Sequence, residues 1–245
     1  MQKQAVFTVI ENISIAKDIM RLTLKGNTEF FTTPGQFINI LIDGFYLRRP
    51  ISVCDLNNDT LTVIYKTVGQ GTRALAKYEA GRELDILCGH GNGYNLNVNT
   101  VKPLLIGGGV GVPPLYYLAK ELIKSGVTPE VILGFNDKEG SFLIDEFTAL
   151  GVNVHIATAD GSLGVKGFVT DVIKNLSGYA YFYTCGPEPM LKAVSNMCDC
   201  EGQLSFEERM GCGFGACMGC SCETKYGSKR ICKDGPVLLK SEVIW

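Results

Sequence analysis

The chain has 245 residues, of which 46% are hydrophobic and 20% charged, with a formal net charge of −2. This composition excludes a largely disordered chain, and the charge balance leaves no global basic field to attract nucleic acid. At about 150 residues per domain, the length admits one or two domains and a small appendage.

Residues 1–98 read as a run of short strands. Val6–Ile10, Ile19–Leu24, Phe37–Ile42 and Leu61–Tyr65 are apolar or alternating, and Lys25-Gly26-Asn27, Pro34-Gly35 and Asn57-Asn58-Asp59 separate them as turns. Short strands with frequent turn signals predict a closed or nearly closed β-barrel. A short helix is expected from Thr72 to about Tyr78. The opening Met1-Gln2-Lys3-Gln4-Ala5-Val6 lacks the apolar run of a signal peptide.

From residue 99 to 200 the rhythm changes to alternating strands and helices, which predicts a parallel α/β sheet. Strands are expected at Pro103–Ile106, Val131–Phe135, Val152–Ala157 and Ala180–Thr184, with helices at Leu115–Lys124 and Val169–Asn175. The longest apolar stretch, Pro103 to Ala119, is broken by glycines and by Pro113 and Pro114, and is shorter than the roughly 20 residues of a membrane span. A cytoplasmic protein without membrane contact is expected. Residues 201–245 are rich in glycine and cysteine and form a third, small unit with little core of its own.

Ten cysteines are unusual for a reducing compartment, which disfavours structural disulfides; metal binding or catalysis is the usual explanation. Most lie between Cys198 and Cys232. Cys212, Cys217 and Cys220 follow C-x4-C-x2-C, with Cys232 as a distal fourth, the plant-type [2Fe–2S] spacing. Gly211, Gly213, Gly215, Ala216 and Gly219 keep the loop small enough to wrap a compact cluster. The competing reading is zinc, but a zinc ribbon wants a second C-x2-C, and only Cys232 stands downstream. Cys222 competes with Cys220 for one ligand position, and the spacing selects Cys220. Cys198 and Cys200 belong to no motif and receive no role.

Two further motifs suit phosphates. Arg49-Pro50-Ile51-Ser52 places an arginine beside a barrel strand, where it can neutralise a pyrophosphate. Gly69-Gln70-Gly71-Thr72 opens the short helix and offers backbone donors to the same group. In the second domain, Gly107-Gly108-Gly109-Val110-Gly111-Val112-Pro113-Pro114 joins a strand to a helix, as in a nucleotide site. It departs from G-x-G-x-x-G because Val112 holds the third glycine position, and close strand–helix packing is its other reading. Asn136-Asp137-Lys138 and Thr158-Ala159-Asp160-Gly161 lack arginine, which favours NAD over NADP, although Lys138 and Lys166 stand as candidate phosphate partners. His155 is expected to be structural, and His90 to sit on a glycine-rich loop.

Barrel, Arg-x-x-Ser, Gly-x-Gly-Thr and parallel sheet in this order resemble the ferredoxin reductase superfamily. That resemblance implies FAD in the barrel. Arg49, Pro50, Ile51 and Ser52 would line the isoalloxazine and pyrophosphate, Ile64, Tyr65 and Lys66 would bracket the flavin and ribityl chain, and Gly71 and Thr72 would bind pyrophosphate. Ile51 stands where tyrosine is common, and Tyr65 is the candidate to replace its stacking. Gly108, Gly109 and Gly111, with the Cys185-Gly186-Pro187 motif, would face the nicotinamide.

With Leu47–Ser52, Gly107–Pro114, Met210–Cys220 and Cys232–Val237 added, nearly the whole chain resembles the electron-transfer subunits of dihydroorotate dehydrogenase B. The resemblance implies an FMN-containing catalytic partner in a heterotetramer of two of each, which oxidises dihydroorotate to orotate in pyrimidine biosynthesis. Electrons would then cross [2Fe–2S] (Cys212, Cys217, Cys220, Cys232) and FAD to reach NAD. No catalytic base is expected in this chain. A second reading is the small subunit of an NADP-dependent ferredoxin oxidoreductase, and a third is a non-enzymatic reductase-like module with structural zinc.

Overall fold

The computed structural model describes residues 3–98, 100 and 102–245. The expected boundary between residues 98 and 99 touches Asn99, and the opening Met1-Gln2 likewise falls outside the described residues. Six antiparallel strands close into a barrel in the order β1-β2-β5-β4-β3-β6. They are β1 (Lys3–Ala16), β2 (Ile19–Lys25), β3 (Phe37–Ile40), β4 (Arg49–Leu56), β5 (Thr60–Lys66) and β6 (Glu83–His90), with helix α1 (Gln70–Leu75) between the last two. Phe7, Val9, Leu22, Leu24, Ile38, Ile40, Leu61, Val63, Leu84 and Ile86 alternate inward and fill the interior, as a pleat of period two requires. α1 begins two residues before the expected Thr72. Gly69 caps it: its N–H donates to Thr72 Oγ1, and the hydroxyl donates back to the Gly69 carbonyl, each at 3.2 Å.

The second sheet runs β10-β9-β8-β7-β11-β12-β15. Its strands are β7 (Leu104–Gly108), β8 (Glu130–Phe135), β9 (Asn153–Thr158), β10 (Val165–Lys166), β11 (Phe182–Cys185), β12 (Gly202–Ser205) and β15 (Val237–Leu239). All pairs are parallel except β12 with β15. β7 and β8 are continuous apolar runs because helices cover both faces. Helices α2 (Val112–Lys124), α3 (Ile144–Ala149), α4 (Val169–Ile173) and α5 (Glu188–Met197) supply that cover. α2 starts three residues before the expected Leu115. Pro113 and Pro114 sit in its first turn, where a missing N–H leaves no helix bond unmade.

The sheet does not stop at residue 200. β12 pairs in register with β11, and β15 returns from the far side of the cysteine segment to pair with β12. The intervening chain forms a small hairpin, β13 (Ser221–Thr224) and β14 (Gly227–Arg230). The tail also has a core: Phe37 from the barrel packs with Cys220, Ile231, Cys232, Leu238 and Val243. β3 is therefore buried on both faces, Ile38 and Ile40 toward the barrel interior, Phe37 and Asn39 beneath the tail. Among the described residues, no helix is long and apolar enough to cross a membrane.

Candidate functional site

The barrel opens where two strands part. β4 pairs with β5 only from Val53–Val63 onward, whereas Arg49 to Ser52 pair with β3 on their other edge. Continued register would have set Ser52, Ile51 and Pro50 opposite Ile64, Tyr65 and Lys66. These edges face each other without pairing, so their main-chain groups are free to meet a ligand. Arg49 lies across the start of α1: a Cβ on Gly71 would come within 2.5 Å of its Nε and 2.6 Å of an Nη. Glycine at 71 is thus what admits the guanidinium, and the two phosphate motifs form one cradle. The half-buried Arg49 also packs its guanidinium 5.0 Å from the Phe45 ring centroid. Beside it, Arg48 donates to the Asp85 carboxylate at 2.9 Å and to the Asp85 carbonyl at 3.0 Å, holding the β3–β4 connection to β6.

Tyr65 departs from expectation. Its side chain is 3% exposed and packs in the barrel interior, with the hydroxyl donating to Asn12 Oδ1 at 3.0 Å. Ile64, one residue away on the pleat, faces the second domain instead. Tyr65 cannot replace ring stacking at the Ile51 position and offers only its main chain. Thr72 spends its hydroxyl on the α1 cap, as described. His90 also differs: it ends β6 rather than occupying a loop, and its ring packs 5.6 Å from Phe37. Phe37 pairs with His90 on one side and Ser52 on the other, so the three form a row across the outer barrel face. Burial, followed by the Arg48 charge, lowers the His90 pKa, and its Nε2 is buried without a partner among the described residues.

A cavity of 690 Å³ lies between the barrel and the strand ends of the second sheet. Gly108, Gly109, Gly111, Gly186 and Pro187 line it, as do Gly134, Asn136, Asp137, Phe168 and Met190. The glycine turn and the Cys-Gly-Pro segment close on one another. A Cβ on Gly111 would stand 2.3 Å from the Cys185 carbonyl oxygen, and one on Gly108 would stand 2.4 Å from Met190 Sδ. The close packing of these two segments is thus also what shapes this end of the cavity. Position Val112, which breaks the glycine pattern, points into the sheet–helix core instead. Cys185 is not in the cavity lining: its side chain is buried in that core, and burial first, then the Glu207 charge, push the thiol up to about 12. Lys138 and Lys166 are likewise absent from the lining; the lysines present are Lys17 and Lys66, both from the barrel. His155 is structural, joining Lys102 on the Glu130 carboxylate at the opposite strand ends.

The Cys212 and Cys217 side chains interact, as do those of Cys220 and Cys232, and Cys212 lies near enough to Cys232 for their charges to interact. Among the described residues no three Cys, His, Asp or Glu side chains converge on a single ion position. Cys212 Sγ accepts N–H bonds from Phe214, Ala216 and Cys217 at 3.3–3.4 Å, and Cys220 Sγ accepts one from Cys232 at 3.4 Å. Burial raises the Cys212 pKa, but the Phe214 and Cys217 amides, with the Cys217 side chain and Ala216, outweigh it and bring it down to about 6. These amides favour the Cys212 thiolate, the form that binds metal, whereas burial, followed by the Cys220 side chain, pushes the Cys232 thiol up to about 12. Cys222 packs at the edge of the tail core in β13, in neither pair.

Residues that motif reading passed over hold this loop. Asn39, 1% exposed on β3, donates to the Gly213 carbonyl at 3.4 Å. Gly213, at φ +75°, leaves no room there for a Cβ, which would approach Asn39 Nδ2 to 2.4 Å. Arg230 donates to the Gly215 carbonyl at 2.8 Å and pairs with Asp234 at 2.9 Å, tying the loop to the turn that carries Cys232. Asn92 receives the Val237 N–H at 3.1 Å and donates to its carbonyl at 2.7 Å, fixing the tail to the barrel. A polar Asn39 within an apolar strand, and an Arg–Asp pair flanking Cys232, were the available signals.

Comparison with known proteins agrees with this geometry. The family model for the iron–sulfur cluster binding domain of dihydroorotate dehydrogenase B matches residues 207–244. Among solved structures, that of an NADH-dependent reduced ferredoxin-NADP oxidoreductase, described for flavin-based electron bifurcation, superposes with a TM-score of 0.88 at 27% identity, covering 98% of this chain and 90% of that one. Phthalate dioxygenase reductase shares the fold at 20% identity and a TM-score of 0.65, covering 78% of this chain and 63% of the other. The dihydroorotate dehydrogenase B (NAD+) electron transfer subunit of Fusobacterium nucleatum is 46% identical, over 96% of both chains. That of Geobacillus sp. strain WCH70 is 46% identical over the full length of both. Identity at this level over essentially the whole chain places the protein in the family of dihydroorotate dehydrogenase B electron transfer subunits.

Proposed function

We propose that this chain carries electrons from a partner dehydrogenase to NAD+, holding FAD, the dinucleotide and a [2Fe–2S] cluster in three adjoining units: residues 1–98, 99–200 and 201–245, in that order. When bound, the cluster exchanges single electrons, NAD takes a pair as hydride, and FAD links the two. Cys212, Cys217, Cys220 and Cys232 would hold the cluster. The amides of Phe214, Ala216 and Cys217 stabilise sulfur charge on the Cys212 side. Arg49 and Gly71 hold the FAD pyrophosphate, while the free edges of Pro50–Ser52 and Ile64–Lys66 hold the ring and ribityl chain. Gly108, Gly109, Gly111, Gly186 and Pro187 bind the nicotinamide dinucleotide.

One observation carries the proposal: a single strand separates the flavin cradle from the cysteine loop. β3 pairs Asn39 with Pro50 on β4, and the same Asn39 supports Gly213 from above. Neighbouring strands lie about 4.8 Å apart, so the residues that would hold the two groups stand close together across the barrel wall. The dinucleotide cavity opens on another side of the cradle, where Lys66 ends β5. The exposed Cys217, Phe214 and Met218 leave one side of the loop free for a partner. The partner we infer is an FMN-containing subunit that oxidises dihydroorotate to orotate in pyrimidine biosynthesis, in a heterotetramer of two of each. A reducing cytoplasm would keep such thiols free for metal.

The test uses the isolated, cofactor-loaded chain. NADH should bleach its flavin absorbance, whereas dihydroorotate should leave the spectrum unchanged until the FMN subunit is added. General-base removal of a carbon-bound proton needs a positioned base, a role this proposal gives to the partner. Bleaching by dihydroorotate without the partner would refute the assignment.

A further inference from the structure

We infer that Lys17, in the turn between β1 and β2, binds the pyrophosphate of the nicotinamide dinucleotide. This rests on reading the 690 Å³ cavity as the dinucleotide site. A dinucleotide brings two phosphate charges into it. The second domain meets them with glycines, apolar side chains, Asn136, Thr170 and the carboxylates Asp137 and Glu207, and places no lysine or arginine in the lining. The N-terminus of α2 contributes a partial positive charge. Full cations come from the barrel alone, as Lys17 and Lys66.

The barrel aims both at the same place. Lys66, the last residue of β5, pairs with Ile19, two residues beyond Lys17. The glycine turn packs against β5, which brings Lys66 to the side where a pyrophosphate lies in a strand–turn–helix site, and Lys17 stands next to it, between that turn and the loop after β8. The turn itself is fixed. The Lys17 N–H donates to the Glu139 carbonyl at 3.0 Å, and the Asp18 carbonyl accepts both the Thr67 N–H at 2.9 Å and its hydroxyl at 3.3 Å. Among the described residues neither Lys17 nor Lys66 forms an ion pair. Asp18 lines the cavity beside Lys17, and Asp137 spends one oxygen on the Gly140 N–H at 2.7 Å. Lys66 already borders the flavin edge, which leaves Lys17 as the cation committed to the dinucleotide. Its contact would make binding span both domains.

The experiment compares wild type, Lys17→Ala and Lys17→Arg as FAD- and cluster-loaded protein, titrated calorimetrically with NAD+ and with NADP+. Lys17 is exposed, so its replacement should leave FAD and iron content unchanged. Losing one charge-assisted contact should weaken both ligands about tenfold, with Lys17→Arg close to wild type. The Lys17→Ala protein should also show a shallower dependence of affinity on salt. Equal affinity of wild type and Lys17→Ala for NAD+ would overturn this inference alone. A loss confined to NADP+ would assign Lys17 to a 2′-phosphate and overturn it as well. Failure of the wild type to bind either nucleotide would overturn the reading of the cavity itself.

Discussion

Gly71→Ala separates the flavin cradle from the stability of the barrel. Gly71 lies inside α1, where alanine is favoured over glycine by about 1 kcal/mol. On helix propensity alone the variant should be at least as stable as wild type. The new Cβ, however, would stand 2.5 Å from Arg49 Nε, 2.6 Å from an Nη and 2.8 Å from Cζ. Comfortable contacts begin near 3.5 Å, so the guanidinium must retreat by about 1 Å. It is the far end of a flexible side chain and can do so without unfolding the barrel, but it leaves the position from which it would meet the pyrophosphate. A hydrogen bond to a charged group contributes about 1.5–3 kcal/mol, and 1.4 kcal/mol is a factor of ten. FAD should therefore bind the Gly71→Ala apoprotein about ten to a hundred times more weakly, with the apoprotein melting temperature unchanged or raised. Flavin fluorescence quenching gives the affinity. Arg49→Ala should lose a similar amount, and the double variant little more, because both changes remove one contact. An affinity within twofold of wild type, or additive losses in the double variant, would refute the placement of Arg49 on the phosphate.

Anaerobically purified protein should contain about two irons and two acid-labile sulfides per chain, since a [2Fe–2S] cluster needs both; one zinc without sulfide would exclude the cluster. Cys232→Ser should lose the cluster's visible absorbance, whereas Cys222→Ser, outside both thiol pairs, should keep it; the reverse result would reassign the ligands. NADH should be preferred to NADPH with an artificial electron acceptor, because no arginine lines the cavity and Asp137 does; comparable kcat/KM values would contradict this. Burial raises the Glu130 carboxyl, but hydrogen bonds from Lys102 and His155 outweigh it and hold the pKa below the ordinary value of 4.5. Its stabilising share is thus present above that value and lost as pH falls through the lowered one. The stability gap between wild type and Glu130→Gln should be constant near neutrality and shrink below about pH 4.5 in urea denaturation; a gap that widens on acidification would show the wrong sign.

Several features were legible in the chain because they are local. Cysteine spacing, a glycine turn between an apolar strand and a helix, and the change from short strands to alternating strands and helices each depend on residues near one another in sequence. They suffice for a barrel, a parallel sheet and a metal-binding tail. Strands β4 and β6 and helices α3 and α5 are not evident in the sequence because their periodic signals are short or masked by flanking glycine and proline, and tertiary packing, not local propensity, holds them.

What only the tertiary structure decided is which side chains share a face. Tyr65 and Ile64 look equally suited to a flavin until the β2–β5 and β4–β5 registers turn Tyr65 into the barrel and Ile64 toward the second domain. Cys185 belongs to a motif, yet the sheet buries its thiol. Asn39 and Gly213 are 174 residues apart but meet, and Lys17 reaches a cavity whose other wall belongs to another domain. The tail seemed coreless in sequence because one member of its core, Phe37, belongs to the barrel, and its strand β12 pairs with β11 of the second sheet. Shifting a strand by one residue reverses every side chain on it, and that register is set by long-range pairing. The sequence by itself therefore determined the kinds of chemistry present, whereas the fold decided which residues stand together to perform it.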